Sequence, residues 1–173
     1  MTFTPHPNGG GLVEDTAHAD ASAYIGPNAR VSGTAHVYGN AVISGNARVS
    51  GPAQVYGTAQ VSGNARVSGT ALVSGTAQVS DTALIYGNAR VFGNARVYEP
   101  RHVLTIGPIG SENQTITLAR TATGHTLTIG CWTDGTLDTL KAEVMARAPE
   151  HWPEYRDARR LLIRRAQEWE GAR

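Results

Sequence analysis

From residue 13 onward the apolar positions recur in a six-residue frame. Aligned on its aliphatic residue, the chain reads Val31-Ser-Gly-Thr-Ala-His, Val37-Tyr-Gly-Asn-Ala-Val, Ile43-Ser-Gly-Asn-Ala-Arg, Val49-Ser-Gly-Pro-Ala-Gln. The frame runs from Val13 to His102 as fifteen hexads without an insertion. Position one is Val or Ile in fourteen hexads, Ala19 being the exception. Position five is Ala in the first fourteen and fails only at Arg101. Position three is Gly in ten, and position four is usually Asn or Thr.

Each position has a physical task. A β-branched residue at position one favours an extended backbone and points inward. Position five lies two residues before the next position one, so it shares the inward face. It is small because it sits beside a tight corner. Gly followed by Asn suits that corner, where unusual backbone angles are needed. One hexad is therefore a short strand plus a bend of roughly 120°, and three hexads close a triangular coil of eighteen residues. Fifteen hexads make five coils, a parallel β-helix roughly 24 Å tall at about 4.8 Å per strand spacing. Disorder is incompatible with such strict Val and Ala placement, and collagen with a period of six.

The pattern Val-x-Gly-Asn-Ala-Arg resembles the hexapeptide-repeat proteins, although here the Gly stands at position three rather than beside the aliphatic residue. The resemblance implies a left-handed sense for the β-helix and a homotrimer. It also implies, for many members, acyl transfer from an acyl-coenzyme A with a His as general base. No loop interrupts the frame to shape an acceptor pocket, and His36 is the one histidine of His18, His36 and His102 placed to act as a base. The reading is a non-catalytic binding or assembly protein, with the acyltransferase as alternative and no cofactor implied.

Residues eighteen apart stack on one face. One face carries Arg30, Arg48 and Arg66 in register, with Ser32, Ser50 and Ser68 beside them, then Leu84 and Tyr86. Residues 25–98 hold five Arg and a single acid, Asp81, so this ladder is the candidate anion-binding surface; a solvated charge row is the plain alternative. The other faces carry Tyr38, Tyr56, Leu72 and Phe92, and the ordered stacking of these with Leu84 suits a subunit interface.

After Tyr98 the frame stops. Residues 102–106, 114–119 and 125–131 read as strands, with a turn at Asp134-Gly135. Thr136 opens a helix carrying Leu137, Leu140 and Val144. A second helix starts near Pro153, with Tyr155, Ala158, Leu162 and Trp169 on one stripe and Arg156, Arg160 and Arg164 opposite. The expected organisation is a flexible segment over 1–12, the β-helix over 13–102, and an α+β module (β3α2) over 103–173 that caps the open end of the column. This module is similar to a small C-terminal module of phage and prophage proteins, carried by Gly107-Pro-Ile-Gly-Ser111 and by Gly130-Cys131-Trp132 before Gly135-Thr-Leu. The resemblance implies no activity of its own; the virus-encoded origin it suggests favours a host component as partner, or sequestration of a nucleotide second messenger.

Gly107, Gly110 and Ser111 are a second candidate ligand loop, with backbone N–H groups for a phosphate, but they lack the Lys and following helix of a P-loop. Cys131, the one cysteine, reads as a buried structural thiol and excludes an internal disulfide. No His, Cys or carboxylate set has metal-ligand spacing. A net charge of +1 selects neither membrane nor sequence-specific nucleic acid. With no signal-peptide pattern at Met1–Ala21, the expected location is the bacterial cytoplasm.

Overall fold

The computed structural model describes residues 1–110 and 112–171, with side chains through residue 169. Residues 12–97 form a β-solenoid of three parallel sheets, each five coils high. The stacked strands begin at position six of each hexad. The first face has Leu12, Arg30, Arg48, Arg66 and Leu84; the second has His18, His36, Gln54, Leu72 and Arg90; the third has Tyr24, Val42, Gln60, Gln78 and Arg96. Residues eighteen apart are direct partners, as in Arg30 with Arg48 and Val31 with Val49. Strands of two residues suffice because every coil hydrogen-bonds to the next, as from Arg48 N–H to the Ala65 carbonyl at 3.0 Å.

The interior is the one the repeat dictates. Position one from Ile25 to Val97 and position five from Ala23 to Ala95 are at most 1% exposed. The corner glycines adopt the left-handed region, and several of them also lack room for a side chain. A Cβ on Gly63, where φ is +65°, would stand 2.7 Å from the backbone nitrogen of Asp81 in the next coil. Asp81 occupies such a corner with φ of 55°. Thr at position four fastens the corners: the hydroxyls of Thr58 and Thr76 each donate to a glycine carbonyl one coil above at 3.0 Å.

The first twelve residues depart from the expected flexible segment. Phe3–Pro5 pairs antiparallel with Leu12–Glu14, placing Phe3 opposite Glu14. Asn8 folds over the third face, its carbonyl accepting from Ile25 N–H at 3.0 Å and its amide donating to the Ala23 carbonyl at 3.0 Å. The hairpin thereby covers backbone groups that the lowest coil would otherwise leave unpaired.

The C-terminal part is a four-stranded antiparallel sheet with two helices, one strand more than expected. Its strands are Val103–Ile109, Gln114–Arg120, His125–Ile129 and Trp132–Gly135. Asp134-Gly135, read as a turn, lies in the fourth strand, and the reversal occurs at Gly130-Cys131, with Gly130 at φ of 55°. Helix α1 spans Leu140–Arg147, starting after a turn in which Thr139 N–H donates to the Thr136 hydroxyl at 3.2 Å. Helix α2 spans Trp152–Gly171 and buries Tyr155, Ala158, Leu162, Ala166 and Trp169, the stripe its periodicity announces. Arg156, Arg160 and Arg164 are exposed.

Strand Gln114–Arg120 lies across the end of the column and is buried on both sides. Ile116 and Leu118 face the helices, whereas Ala119 joins the column core. The Thr117 hydroxyl accepts from Arg90 N–H at 2.9 Å, a donor the last coil of that sheet would leave open. Arg90 Nη1 donates to the Gly130 carbonyl at 2.6 Å, and Trp169 Nε1 to the Arg101 carbonyl at 2.9 Å.

Candidate anion-binding face

Arg30, Arg48 and Arg66 project outward because Val31, Val49 and Val67, their strand neighbours, project inward and are fully buried. Their backbones are in register, so the rungs follow the strand spacing of about 4.8 Å. All three are exposed, and none forms a hydrogen bond or ion pair among the described residues. Leu12 stacks below Arg30 and Leu84 above Arg66, so the row is bounded at both ends by aliphatic residues. On one side stand Asn28, Asn46 and Asn64, each two residues before its arginine. Asn46 Nδ2 donates to Asn64 Oδ1 at 3.2 Å. On the other side are the half-buried Ser32, Ser50 and Ser68. A groove of about 460 Å³ runs along this corner, lined by Leu12, Pro27, Asn28, Arg30, Asn46, Arg48 and Asn64.

The asparagine row is what the sequence reading missed. Position four was explained as a corner residue, which it is, and the signal that could have found it was the triple Asn-Ala-Arg repeated at eighteen-residue spacing at 28–30, 46–48 and 64–66.

The family model for the YdcK beta solenoid repeat matches residues 35–51, 41–57, 59–75 and 83–99, each span close to one coil. Over those spans the chain is similar to the YdcK beta solenoid repeat. No curated protein and no solved structure matches it. The repeat accounts for the column and for the stacking of the arginine row, but the matches end before the C-terminal sheet.

The structure does not build a base around His36. Its ring lies 6.0 Å from that of His18 at a tilt of 44°, and it makes no hydrogen bond among the described residues. His18 Nε2 instead meets Asp20 Oδ1 at 2.9 Å, and that contact, with the Gly39 N–H at the other carboxylate oxygen, lowers the Asp20 pKa. The neighbouring Tyr38 turns to Gln54, donating to Oε1 at 2.9 Å, and stacks on Tyr56 with ring centroids 5.1 Å apart. Burial, then the Tyr56 and Asp20 charges, raises the Tyr38 pKa. His102 follows the last coil and is buried, its ring meeting those of Tyr98 and Trp169 edge-on, and its Nδ1 accepts from the N–H groups of Tyr98 at 3.2 Å and Glu99 at 3.3 Å.

Of the second candidate ligand group, Gly110 already holds an anion of its own chain. Gly110 N–H donates to a Glu154 carboxylate oxygen at 3.0 Å, and this bond is the main cause of a lowered Glu154 pKa. Gly107 lies within a strand, and Ser111 is outside the described residues.

Cys131 is exposed rather than buried, because the reversal after Gly130 turns it away from the sheet core. Arg147 Nη1 reaches its sulfur at 3.4 Å while pairing with Glu143, and both contacts raise the Arg147 pKa. Among the described residues no group of His, Cys, Asp and Glu is arranged to hold a metal ion, and no helix is long and apolar enough to cross a membrane.

Proposed function

We propose that this protein is a non-catalytic binding scaffold whose arginine face holds an anionic ligand. One observation carries the reading: three exposed arginines in register on adjacent strands, whose guanidinium groups have no partner among the described residues. Like charges this close repel, and an oxyanion between them removes the repulsion while accepting two N–H groups from each. The rigid column holds their Cα atoms in register before any ligand arrives, so little backbone order is lost on binding. A binding role is preferred to acyl transfer because His36 has no partner to fix its tautomer, and the repeat is unbroken where an acceptor pocket would need a loop.

The assembly we propose is a homotrimer of left-handed columns, following the hexapeptide resemblance, with exposed Leu84 and Tyr86 available for packing between copies. The likeness of the C-terminal part to phage modules favours a host component, or a nucleotide messenger taken out of circulation, as the source of the anion.

The test is thermal shift with sulfate, pyrophosphate, nucleotides, cyclic dinucleotides and acidic oligosaccharides, on wild type and Arg48→Gln. Gln already occupies position six at Gln54, Gln60 and Gln78, so this variant keeps the fold. A ligand that binds the folded state raises the melting temperature by mass action, and added salt weakens the effect. No anion that distinguishes wild type from Arg48→Gln means the row is solvated, and the reading fails.

A further inference from the structure

Where the column meets the C-terminal part, a cavity of about 210 Å³ lies between Tyr98, Glu99 and His102 on one side and Arg120, Glu168 and Trp169 on the other. The His102 ring is enclosed, only 8% of the residue being exposed. Its Nδ1 accepts from two backbone N–H groups, so the proton of the neutral ring sits on Nε2, at the opposite edge. Burial, and then the Arg120 charge, lowers the His102 pKa and keeps the ring neutral at neutral pH. The Nε2–H group has no acceptor among the described residues. Arg120 stands beside it: its Cζ is 5.9 Å from the centroid of the Tyr98 ring, which meets the His102 ring edge-on at 5.9 Å. The two acids at the cavity are already paired, Glu99 with Arg101 at 2.7 Å and Glu168 with Arg165 at 3.1 Å. Arg120 has no ion pair among the described residues, so one cation and one neutral N–H lack an acceptor. We propose that this junction cavity binds a small monocarboxylate, with one oxygen on the Arg120 guanidinium and the other on His102 Nε2–H.

The charge count selects the ligand. One unpaired cation balances one negative charge, and an acceptor on an enclosed N–H removes the cost of leaving that donor open. A dianion such as sulfate brings a second charge into a space flanked by the Glu99 and Glu168 carboxylates. A neutral amide leaves Arg120 without a counter-charge. Size sets the other limit, because the cavity is smaller than the roughly 300–1,000 Å³ that drug-sized ligands occupy. A nucleotide is therefore too large, whereas a carboxylate with a short apolar tail fits against the Trp169 ring, whose Nε1 is already bonded to the Arg101 carbonyl. The site is separate from the arginine face and does not rest on it. Its residues come from both parts of the chain, so a bound carboxylate also ties the column to the C-terminal sheet.

The test is titration of the full chain with formate, acetate, propionate, acetamide and sulfate at constant ionic strength, read from the nitrogen-15 signal of His102 Nε2. That signal reports this cavity and not the arginine face. The expected result is a saturable shift with each carboxylate, weaker binding of sulfate and no shift with acetamide. Arg120→Gln should weaken acetate about tenfold or more, as for the loss of a hydrogen bond to a charged group. His102→Asn keeps an acceptor where Nδ1 stands but removes Nε2–H, so acetate should no longer raise its melting temperature as it raises that of the wild type. Should His102→Asn fail to fold, Arg120→Gln still decides, because its His102 signal remains. Sulfate binding more tightly than every carboxylate overturns the carboxylate assignment. No saturable shift with any carboxylate, full acetate affinity in Arg120→Gln, or an unchanged acetate effect on a folded His102→Asn overturns the site.

Discussion

The corner geometry makes a quantitative prediction that separates backbone conformation from stacking. Gly63 and Gly87 are equivalent by sequence and have similar φ, +65° and +62°. A Cβ on Gly63 would stand 2.7 Å from the Asp81 nitrogen and 3.0 Å from its Cα, whereas one on Gly87 would meet nothing within 4 Å. Gly87→Ala therefore reports the left-handed backbone alone. That strain is about 1–2 kcal/mol for an L residue, offset by about 0.4–1 kcal/mol because alanine stiffens the unfolded chain. The net loss expected is about 1 kcal/mol. Gly63→Ala adds an overpacking term of about 1–3 kcal/mol, since the atoms it meets are backbone and cannot swing away. The total expected is about 2–4 kcal/mol. Gly51→Ala is a third point, because its nearest neighbour would be at 3.4 Å, and it should fall with Gly87→Ala. Urea unfolding followed by circular dichroism gives each difference, provided the denaturant slope is unchanged. Equal losses at Gly63 and Gly87 would refute the stacking argument and leave φ as the whole reason for glycine at position three.

Further outcomes follow from the same structure. Val55→Asp places a carboxylate in the fully buried column and should destabilise by several kcal/mol, so an unchanged melting temperature would show that position one does not face inward. The His102 pKa is lowered, first by burial and then by Arg120, and its Nδ1 accepts two backbone N–H groups that an imidazolium cannot satisfy. The unfolded chain takes up that proton first, so this stability is complete above the ordinary value of 6.5 and is lost as pH falls from there towards the folded value. The difference in melting temperature between wild type and His102→Gln should shrink over that window, and a pH-independent difference would be inconsistent with the accepting role. Trp169→Phe removes the bond to the Arg101 carbonyl while keeping most of the buried ring, and should loosen the junction by about 1–2 kcal/mol, visible as faster amide exchange at Tyr98–His102.

The column was legible because its information is local and repeated. A β-branched residue at position one, alanine at position five and glycine at position three each state an orientation, and their recurrence in fourteen, fourteen and ten of fifteen hexads makes the statement unambiguous. What escaped depends on contacts between segments distant in sequence. The strand Phe3–Pro5 exists because Leu12–Glu14 offers it an edge, which nothing in Thr-Phe-Thr-Pro reveals. Asp134-Gly135 has the composition of a turn, but Gly135 is there because the Trp132 ring lies over it and leaves no room for a Cβ. Cys131 was read from its apolar neighbours as buried, although the left-handed Gly130 before it reverses the chain and leaves it exposed. For the candidate site, the arginine row followed from counting by eighteen, whereas the Gly107–Ser111 loop looked open only because Glu154 is 44 residues away from Gly110.

The most direct test of the anion-binding account is the nitrogen-15 NMR spectrum of the arginine side chains during titration with the anion that stabilises the protein most. The column supplies its own controls: Arg90, whose guanidinium already donates to the Gly130 carbonyl, and Arg96 on another face. The account predicts that the Nε–H signals of Arg30, Arg48 and Arg66 move together with one dissociation constant while those of Arg90 and Arg96 stay in place. Equal movement of all five, or movement of none, would contradict it.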